Sequence, residues 1–220
     1  MLRKAVRWAL ALGLAAGVPA TAFAQDTTCR TGLFTHQESF AQAQVTSQRA
    51  FFYEDAEGCP LSGECRSSSY VIRGDEVVIG RRIGDFVCAF YPNEGGGTAG
   101  WLKIGSLSIH PLDATPPLAR WRGNWTDDAS ADVTIAMKDG HPYISGEAFW
   151  PARPEENDWI SIHIGEVNGA LVISGHRATY EDDNLCELEL TLLGDFLLIE
   201  DNRRCGGANV TFSGVYTRAP

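Results

Sequence analysis

The chain lacks the sequence patterns that mark common classes of enzyme. It has no Gly-x-Ser-x-Gly turn for a nucleophilic serine, no His-Glu-x-x-His for a catalytic zinc ion and no Gly-x-x-x-x-Gly-Lys loop for a nucleotide phosphate. Its five histidines are scattered, and the acidic runs at 155–158 and 181–183 fall in predicted loops, where solvated charge is the simpler explanation. We therefore expect no catalytic residues and interpret the protein as non-enzymatic.

Metal-binding patterns are also missing. No Cys-x-x-Cys is present and no histidine lies at ligand spacing from a cysteine, so we expect no metal site and no cofactor. Six cysteines, an even number, indicate disulfides in an oxidising compartment. If each half of the chain closes its own bridges, Cys186 pairs with Cys205, which stabilises the fold by about 3 kcal/mol. The remaining four allow three connectivities, and the sequence leaves the choice open among Cys29, Cys59, Cys65 and Cys88.

Long hydrophobic runs are absent except at the N-terminus. Residues 8–18 are apolar, follow three basic residues and precede Ala22-Phe23-Ala24, the pattern of a cleavable secretory signal. This run is shorter than the ~20 residues that a membrane-spanning helix needs. We predict that residues 1–24 are a signal peptide, that the mature chain begins at Gln25, and that it works in the periplasm or outside the cell with no membrane span.

Positive charge is scarce. The chain has 18 basic and 28 acidic residues, and removing the three basic residues of the signal leaves 15 against 28, a formal charge of −13. This balance disfavours nucleic acid and anionic lipid surfaces and favours a basic partner. Among macromolecules we therefore expect a basic envelope or secreted protein as a possible partner, and no nucleic acid.

Helical periodicity is nearly absent after Gln25, and short apolar or alternating segments separated by turns predict an all-β protein. We expect an N-terminal extension over 25–48, a small β domain over 49–109, a proline-rich linker over 110–119 and an eight-stranded antiparallel up-and-down β-barrel over 120–220. The strands of the first domain are predicted at 50–53, 70–72, 76–82, 86–91 and 100–102. Those of the barrel are predicted to begin near Trp121, Val133, Tyr143, Trp159, Leu171, Cys186, Phe196 and Asn209.

The first domain resembles the bacterial Src-homology-3-like (SH3-like) family of periplasmic and cell-wall proteins. The matching motifs are Phe52-Tyr53, the Tyr-Val-Ile-Arg-Gly-Asp run at 70–75, Phe86-Val87-Cys88 with Tyr91, and Gly100-Trp101-Leu102. The resemblance implies a small barrel that binds cell-wall peptides or protein partners. Tyrosine and tryptophan combine apolar area with a polar group, so the candidate binding residues here are Tyr53, Tyr91 and Trp101.

The second domain carries weaker resemblances. Gly123-Asn124-Trp125 is similar to the Gly-x-Trp start of calycin-type barrels such as lipocalins and avidins. The short predicted strands leave an interior filled by side chains or open to one small ligand. Ser174-Gly175 with Tyr180 resembles a loop of periplasmic lysozyme inhibitors, which makes Ser174 and Tyr180 candidate partner-binding residues.

These features predict an exported, non-enzymatic binding protein of the bacterial cell envelope that recognises peptidoglycan or a protein partner. An alternative is an inhibitor or immunity protein directed at a cell-wall hydrolase such as lysozyme, because an acidic protein is attracted to a basic target. A second alternative is a calycin-like carrier of a small ligand.

Overall fold

The computed structural model describes residues 28–151 and 162–219, so the predicted signal peptide and the predicted strand start at Trp159 lie outside the described residues. Sixteen strands and one short α-helix, α1 (Leu118–Trp121), account for most of the described chain. The strands are β1 (Ala41–Val45), β2 (Arg49–Tyr53), β3 (Arg66–Ile72), β4 (Glu76–Ile83), β5 (Phe86–Tyr91), β6 (Thr98–Lys103), β7 (Leu107–Ile109), β8 (Gly123–Thr126), β9 (Ala131–Lys138), β10 (His141–Trp150), β11 (His163–Ala170), β12 (Val172–Ser174), β13 (Arg177–Glu181), β14 (Glu187–Leu193), β15 (Phe196–Asp201) and β16 (Gly214–Arg218). The same described residues also contain 3₁₀ helices at Thr31–His36, Gly63–Cys65 and Ile104–Ser106.

The strands form two antiparallel sheets, which confirms the all-β prediction. The first sheet has seven strands in the order β3-β2-β6-β5-β4-β1-β7, and the second has nine in the order β11-β10-β9-β8-β16-β15-β14-β13-β12. The first sheet includes a strand within the region expected to be an extension, since β1 pairs with both β4 and β7. The segment Ala41–Val45 does not by itself predict a strand, because alanine is depleted in strands and Val45 is its one β-branched residue.

The second sheet is a nearly closed barrel of nine strands, so the prediction of eight is wrong. The segment predicted as one strand from Leu171 is instead two strands, β12 and β13, separated by a turn in which Gly175 has φ 63°. The last strand begins at Gly214 rather than Asn209, because the Asp201 carboxylate accepts the Phe212 N–H (2.5 Å) and holds the preceding residues in a loop.

The barrel interior is occupied by side chains. Along β14, Leu188, Leu190 and Leu192 are buried while Glu187 and Glu189 face solvent, as strand alternation requires. They join one hydrophobic cluster with further buried side chains from α1, the other strands and the loop before β16, including Trp121, Trp125, Ile135, Ile144, Leu197, Phe212 and Tyr216.

A stacked arginine of β16 packs against β8 and the end of α1. The Arg218 guanidinium lies 3.8 Å from the centroid of the Trp125 ring and donates to the carbonyl oxygens of Arg120 and Arg122. Burial, followed by the nearby charge of Arg120, lowers the pKa of Arg218. This contact joins the last strand to the first strand of the barrel.

The N-terminal segment packs between the two sheets. Phe34 in the first 3₁₀ helix is 1% exposed and shares a hydrophobic cluster with Phe90 and Trp101 of the first sheet. The same cluster contains barrel side chains that point away from the barrel interior, namely Leu193, Phe196, Leu198 and Val215. The two sheets are therefore joined by shared packing as well as by the chain segment between them.

The six cysteines all lie within the described residues and form three disulfides. Cys186 is bonded to Cys205, the pairing expected from the sequence, and the other bridges are Cys29–Cys88 and Cys59–Cys65. Such a set suits an oxidising compartment. In the part of the chain that the structure describes, no helix is both long and apolar enough to span a bilayer.

Candidate ligand-binding cleft

A cleft of about 570 Å³ lies on the outer face of the first sheet. Alternate residues of β2 form its floor: Ala50 and Phe52 point into the core, so Arg49, Phe51 and Tyr53 face the opposite side. The neighbouring strands β3 and β6 complete the cleft with a basic side chain each, Arg66 and Lys103.

Strand register brings these side chains together. Tyr53 lies opposite Arg66 on β3 and opposite Trp101 on β6. The β2–β3 register shifts between Phe51 and Tyr53, and an irregularity of this kind changes the direction in which nearby side chains point. Residues distant in sequence thus converge on one surface.

Basic groups and aromatic rings alternate across this surface. The Arg66 guanidinium lies 4.5 Å from the centroid of Phe51, and the Arg49 guanidinium lies 4.7 Å from that of Tyr70. The Lys103 ammonium is 5.7 Å from the Tyr53 ring and 6.0 Å from the Phe86 ring. The rings also contact one another, with centroids 5.6 Å apart for Phe51 and Tyr70 and 4.8 Å apart for Tyr53 and Phe86. We call this set the cationic strip: Arg49, Phe51, Tyr53, Arg66, Tyr70, Phe86 and Lys103.

Among the described residues, the basic groups of the strip have no acidic partner. Across residues 28–151 and 162–219, Arg49, Arg66 and Lys103 form no ion pair and no side-chain hydrogen bond, whereas Arg30 contacts Asp55 at 2.9 Å. The carboxylate that lines the cleft, Asp85, is 93% exposed and lies 4.0 Å from a different arginine.

The strip is therefore locally positive on an acidic protein. A guanidinium stacked on a ring keeps its N–H edge free to hold a carboxylate or phosphate through two parallel hydrogen bonds. Together with the ring faces, these groups can bind an anionic ligand that also has an apolar part.

Of the binding residues predicted in the first half, the structure brings Tyr53 to the cleft. Trp101 is fully buried, and its Nε1 donates to Asp55 Oδ1 at 3.4 Å. Tyr91 packs against the core of the first sheet outside the cleft, where burial and then the charge of Asp75 raise its pKa.

Of those predicted in the second half, Ser174 and Tyr180 are not brought together. Ser174 is exposed at the end of β12 beside the turn, where it pairs with Arg177. Tyr180 is 3% exposed, and its hydroxyl donates to Asp182 (3.3 Å) and accepts the N–H of Asn168 (3.2 Å). Burial is the largest cause of its raised pKa. Tyr180 thus links β13 to β11 through a hydrogen bond.

Sequence reasoning missed the three basic residues of the cleft. The available signal was the alternation Arg49-Ala50-Phe51-Phe52-Tyr53, which places one basic and two aromatic residues on one face of a strand. Arg66 and Lys103 could not be added, because their positions depend on the register of β2 with two other strands.

A second polar surface lies on the outside of the barrel. Glu147 pairs in register with Asp132 on one side and with Glu166 on the other, so three carboxylates cross three neighbouring strands. Like charges placed directly opposite are unfavourable by themselves.

Within the described residues, no group of histidine, cysteine or acidic side chains is arranged to hold a metal ion.

The chain matches no protein-family model, no curated protein and no solved structure at a significant level.

Proposed function

We propose that this protein is an exported, non-enzymatic binding protein of the bacterial cell envelope, and that the cationic strip holds its ligand. The observation that carries the proposal is the set Arg49, Arg66 and Lys103, three basic groups that lie against aromatic rings and lack carboxylate partners among the described residues. Such groups attract and orient an anionic ligand.

The resemblance of residues 49–109 to the SH3-like family supports the same proposal, since that family binds cell-wall peptides or protein partners. Peptidoglycan suits the cleft because its peptides carry free carboxylates, which are the natural partners of a guanidinium. The signal-like N-terminus and the three disulfides support an envelope location.

Sedimentation with purified peptidoglycan at low salt tests this proposal. We expect the wild-type protein to be retained and the double variant Arg66→Gln/Lys103→Gln to be lost from the pellet. The control Arg122→Gln/Arg204→Gln removes the same number of positive charges from exposed side chains of the second half and should be retained. Failure of the wild-type protein to bind, or equal retention of all three proteins, would contradict peptidoglycan as the ligand of the strip.

The carboxylate row of Asp132, Glu147 and Glu166 favours a second candidate, an inhibitor or immunity protein that binds a basic cell-wall hydrolase. Negative charge on the barrel would speed association with such an enzyme. A panel of lysozymes and amidases assayed with excess protein should then lose activity stoichiometrically, and Glu147→Gln should weaken the effect. Unchanged activity across the panel would remove this candidate. No observation favours the small-ligand carrier, because side chains occupy the interior positions of the barrel.

A further inference from the structure

The cationic strip has a basic group at each end and aromatic rings between them. Arg66 lies opposite Tyr53, and Arg49 lies four residues before Tyr53 on β2, so the backbone positions of the two arginines are about 13 Å apart along the strand. Phe51 is midway between them. Its ring contacts the Arg66 guanidinium, and the Tyr70 ring, which contacts Phe51, also contacts the Arg49 guanidinium.

An extended peptide has the same repeat. Its first, third and fifth side chains face one way, and the first and fifth lie about 13 Å apart. Two carboxylates at these positions would therefore have the same spacing as the backbone positions of Arg49 and Arg66, whose long side chains can each turn to meet one of them. A side chain at the third position would lie on Phe51 and on Tyr70, which is 44% exposed.

We propose that the cationic strip binds an extended acidic peptide segment of a partner protein, in which two carboxylate side chains flank an apolar one in the pattern acid-x-apolar-x-acid. This inference rests on the proposed function, because it uses the same cleft. It also reverses the expectation from net charge: the partner surface is acidic where it meets the strip.

The positive charge of the strip favours acidic side chains of the peptide, and the aromatic rings favour an apolar side chain between them. A chain with an anionic group at every position would leave the exposed Tyr70 face and the half-buried Phe51 ring without an apolar partner. Lys103 lies beyond Tyr53, 6.0 Å from the ring of Phe86, and extends the positive surface across the width of the cleft.

A second copy of the chain is a poor occupant. Its own sequence contains the pattern at Asp183, Leu185 and Glu187, but Leu185 has φ 67° and lies in the left-handed region. This segment is therefore not an extended strand that could lie along β2.

Calorimetric titration of the full exported chain with synthetic nine-residue peptides tests the inference. The probe peptide carries glutamate at its third and seventh positions and leucine at its fifth, with serine and threonine elsewhere. We expect binding that weakens about ten- to hundred-fold when either glutamate is replaced by glutamine. A peptide with its two glutamates only two positions apart should bind as weakly as these single replacements.

Matched protein variants make the test specific. Arg49→Gln and Arg66→Gln should each weaken binding of the probe peptide to the same extent, whereas Arg122→Gln should bind like the wild type. Both strip arginines are exposed, so we expect unchanged melting temperatures. The charge-swap variant Arg66→Glu should not bind the probe peptide. It should bind a peptide in which lysine replaces the one glutamate that faces position 66.

Several outcomes would overturn the inference. These are absence of binding by every peptide, indifference to glutamate spacing, and equal affinity of the Arg49→Gln and Arg66→Gln variants and the wild type. If the peptides fail while retention on peptidoglycan still depends on Arg66 and Lys103, the acidic-peptide inference is wrong and the proposed function stands. A concentration-dependent dimer in sedimentation velocity that Arg66→Gln abolishes would assign the strip to a second copy and also overturn it.

Discussion

The arginine side chains of this protein differ in what surrounds them. Arg30 and Arg120 contact carboxylates at 2.9 and 3.0 Å, respectively. Arg218 lies on Trp125 with its N–H groups directed at backbone carbonyls, so its hydrogen-bonding capacity serves the fold. Arg49 and Arg66 also lie on rings, but within the described chain their N–H groups meet no side-chain acceptor. Residue type alone would not separate these roles.

Tyr216 gives a pH-dependent prediction at the residue scale. It is fully buried, its hydroxyl donates to the Phe212 carbonyl at 2.8 Å, and burial raises its pKa well above 10.0. Above pH 10 the unfolded chain loses this proton while the folded protein keeps it, so the free energy of unfolding falls by about 1.4 kcal/mol per pH unit from this group.

We expect Tyr216→Phe to cost about 1 kcal/mol at pH 7, because the Phe212 carbonyl loses its donor. Between pH 10 and 11 the variant should lose stability less steeply than the wild type. Urea unfolding followed by tryptophan fluorescence at pH 7, 10 and 11 measures both effects. Parallel losses in the two proteins above pH 10 would show that Tyr216 already ionises in the folded state.

At the scale of elements, the sequence predicts strands where alternation and turn residues agree. The predicted segment 86–91 coincides with β5, and 76–82 falls one residue short of β4. Local patterns fail where the determining contact is distant. β1 is recognisable only from its pairing with β4 and β7, and the Thr31–His36 helix from its packing between the sheets. The cationic strip depends on neighbours from β3 and β6, which no local pattern specifies.

The loop that follows β15 gives a prediction at this scale. It is bonded to the start of β14 by Cys186–Cys205 and lies along β11, where the Gly207 N–H donates to the Ile164 carbonyl at 3.2 Å. Replacing both cysteines by serine should lower the free energy of unfolding by about 3 kcal/mol, because the unfolded chain gains freedom. Amide exchange at Gly207 should also become faster, because the loop is no longer bonded to the start of β14.

The matched control is the double serine variant of Cys59 and Cys65. That bridge spans 6 residues of sequence against 19 for Cys186–Cys205, so its removal should cost less. Urea unfolding and hydrogen exchange measure the two variants side by side. Equal losses of stability in the two variants would contradict the idea that each bridge stabilises the protein in proportion to the length of the loop it closes.

At the scale of the whole molecule, we expect the shared cluster around Phe34 to make the two sheets unfold as one cooperative unit. Its members come from the N-terminal segment, the first sheet and the outer side of the barrel. Phe34→Ala should destabilise the protein by about 3–5 kcal/mol and lower the melting temperature of both sheets in one calorimetric transition. The control Leu61→Ala removes a side chain that is 67% exposed and should have little effect.

Two separate transitions, with only one displaced by Phe34→Ala, would mean that the sheets fold independently. Such a result would mean that the shared cluster stabilises one sheet and not the other.

Net charge describes the molecule but not its binding site. The 28 acidic residues predict a basic partner, while the cleft on the first sheet presents three basic groups and one exposed carboxylate. The long-range field and the local surface are thus opposite in sign, and the local surface determines what fits the cleft.

The most direct measurement of the central claim is a nuclear magnetic resonance titration of the isotope-labelled protein with soluble peptidoglycan fragments and with the acidic probe peptide. The account predicts shifts in amide resonances concentrated in β2, β3 and the end of β6, around Phe51, Tyr53 and Lys103. Shifts confined to the barrel, or no shifts with either ligand, would contradict it.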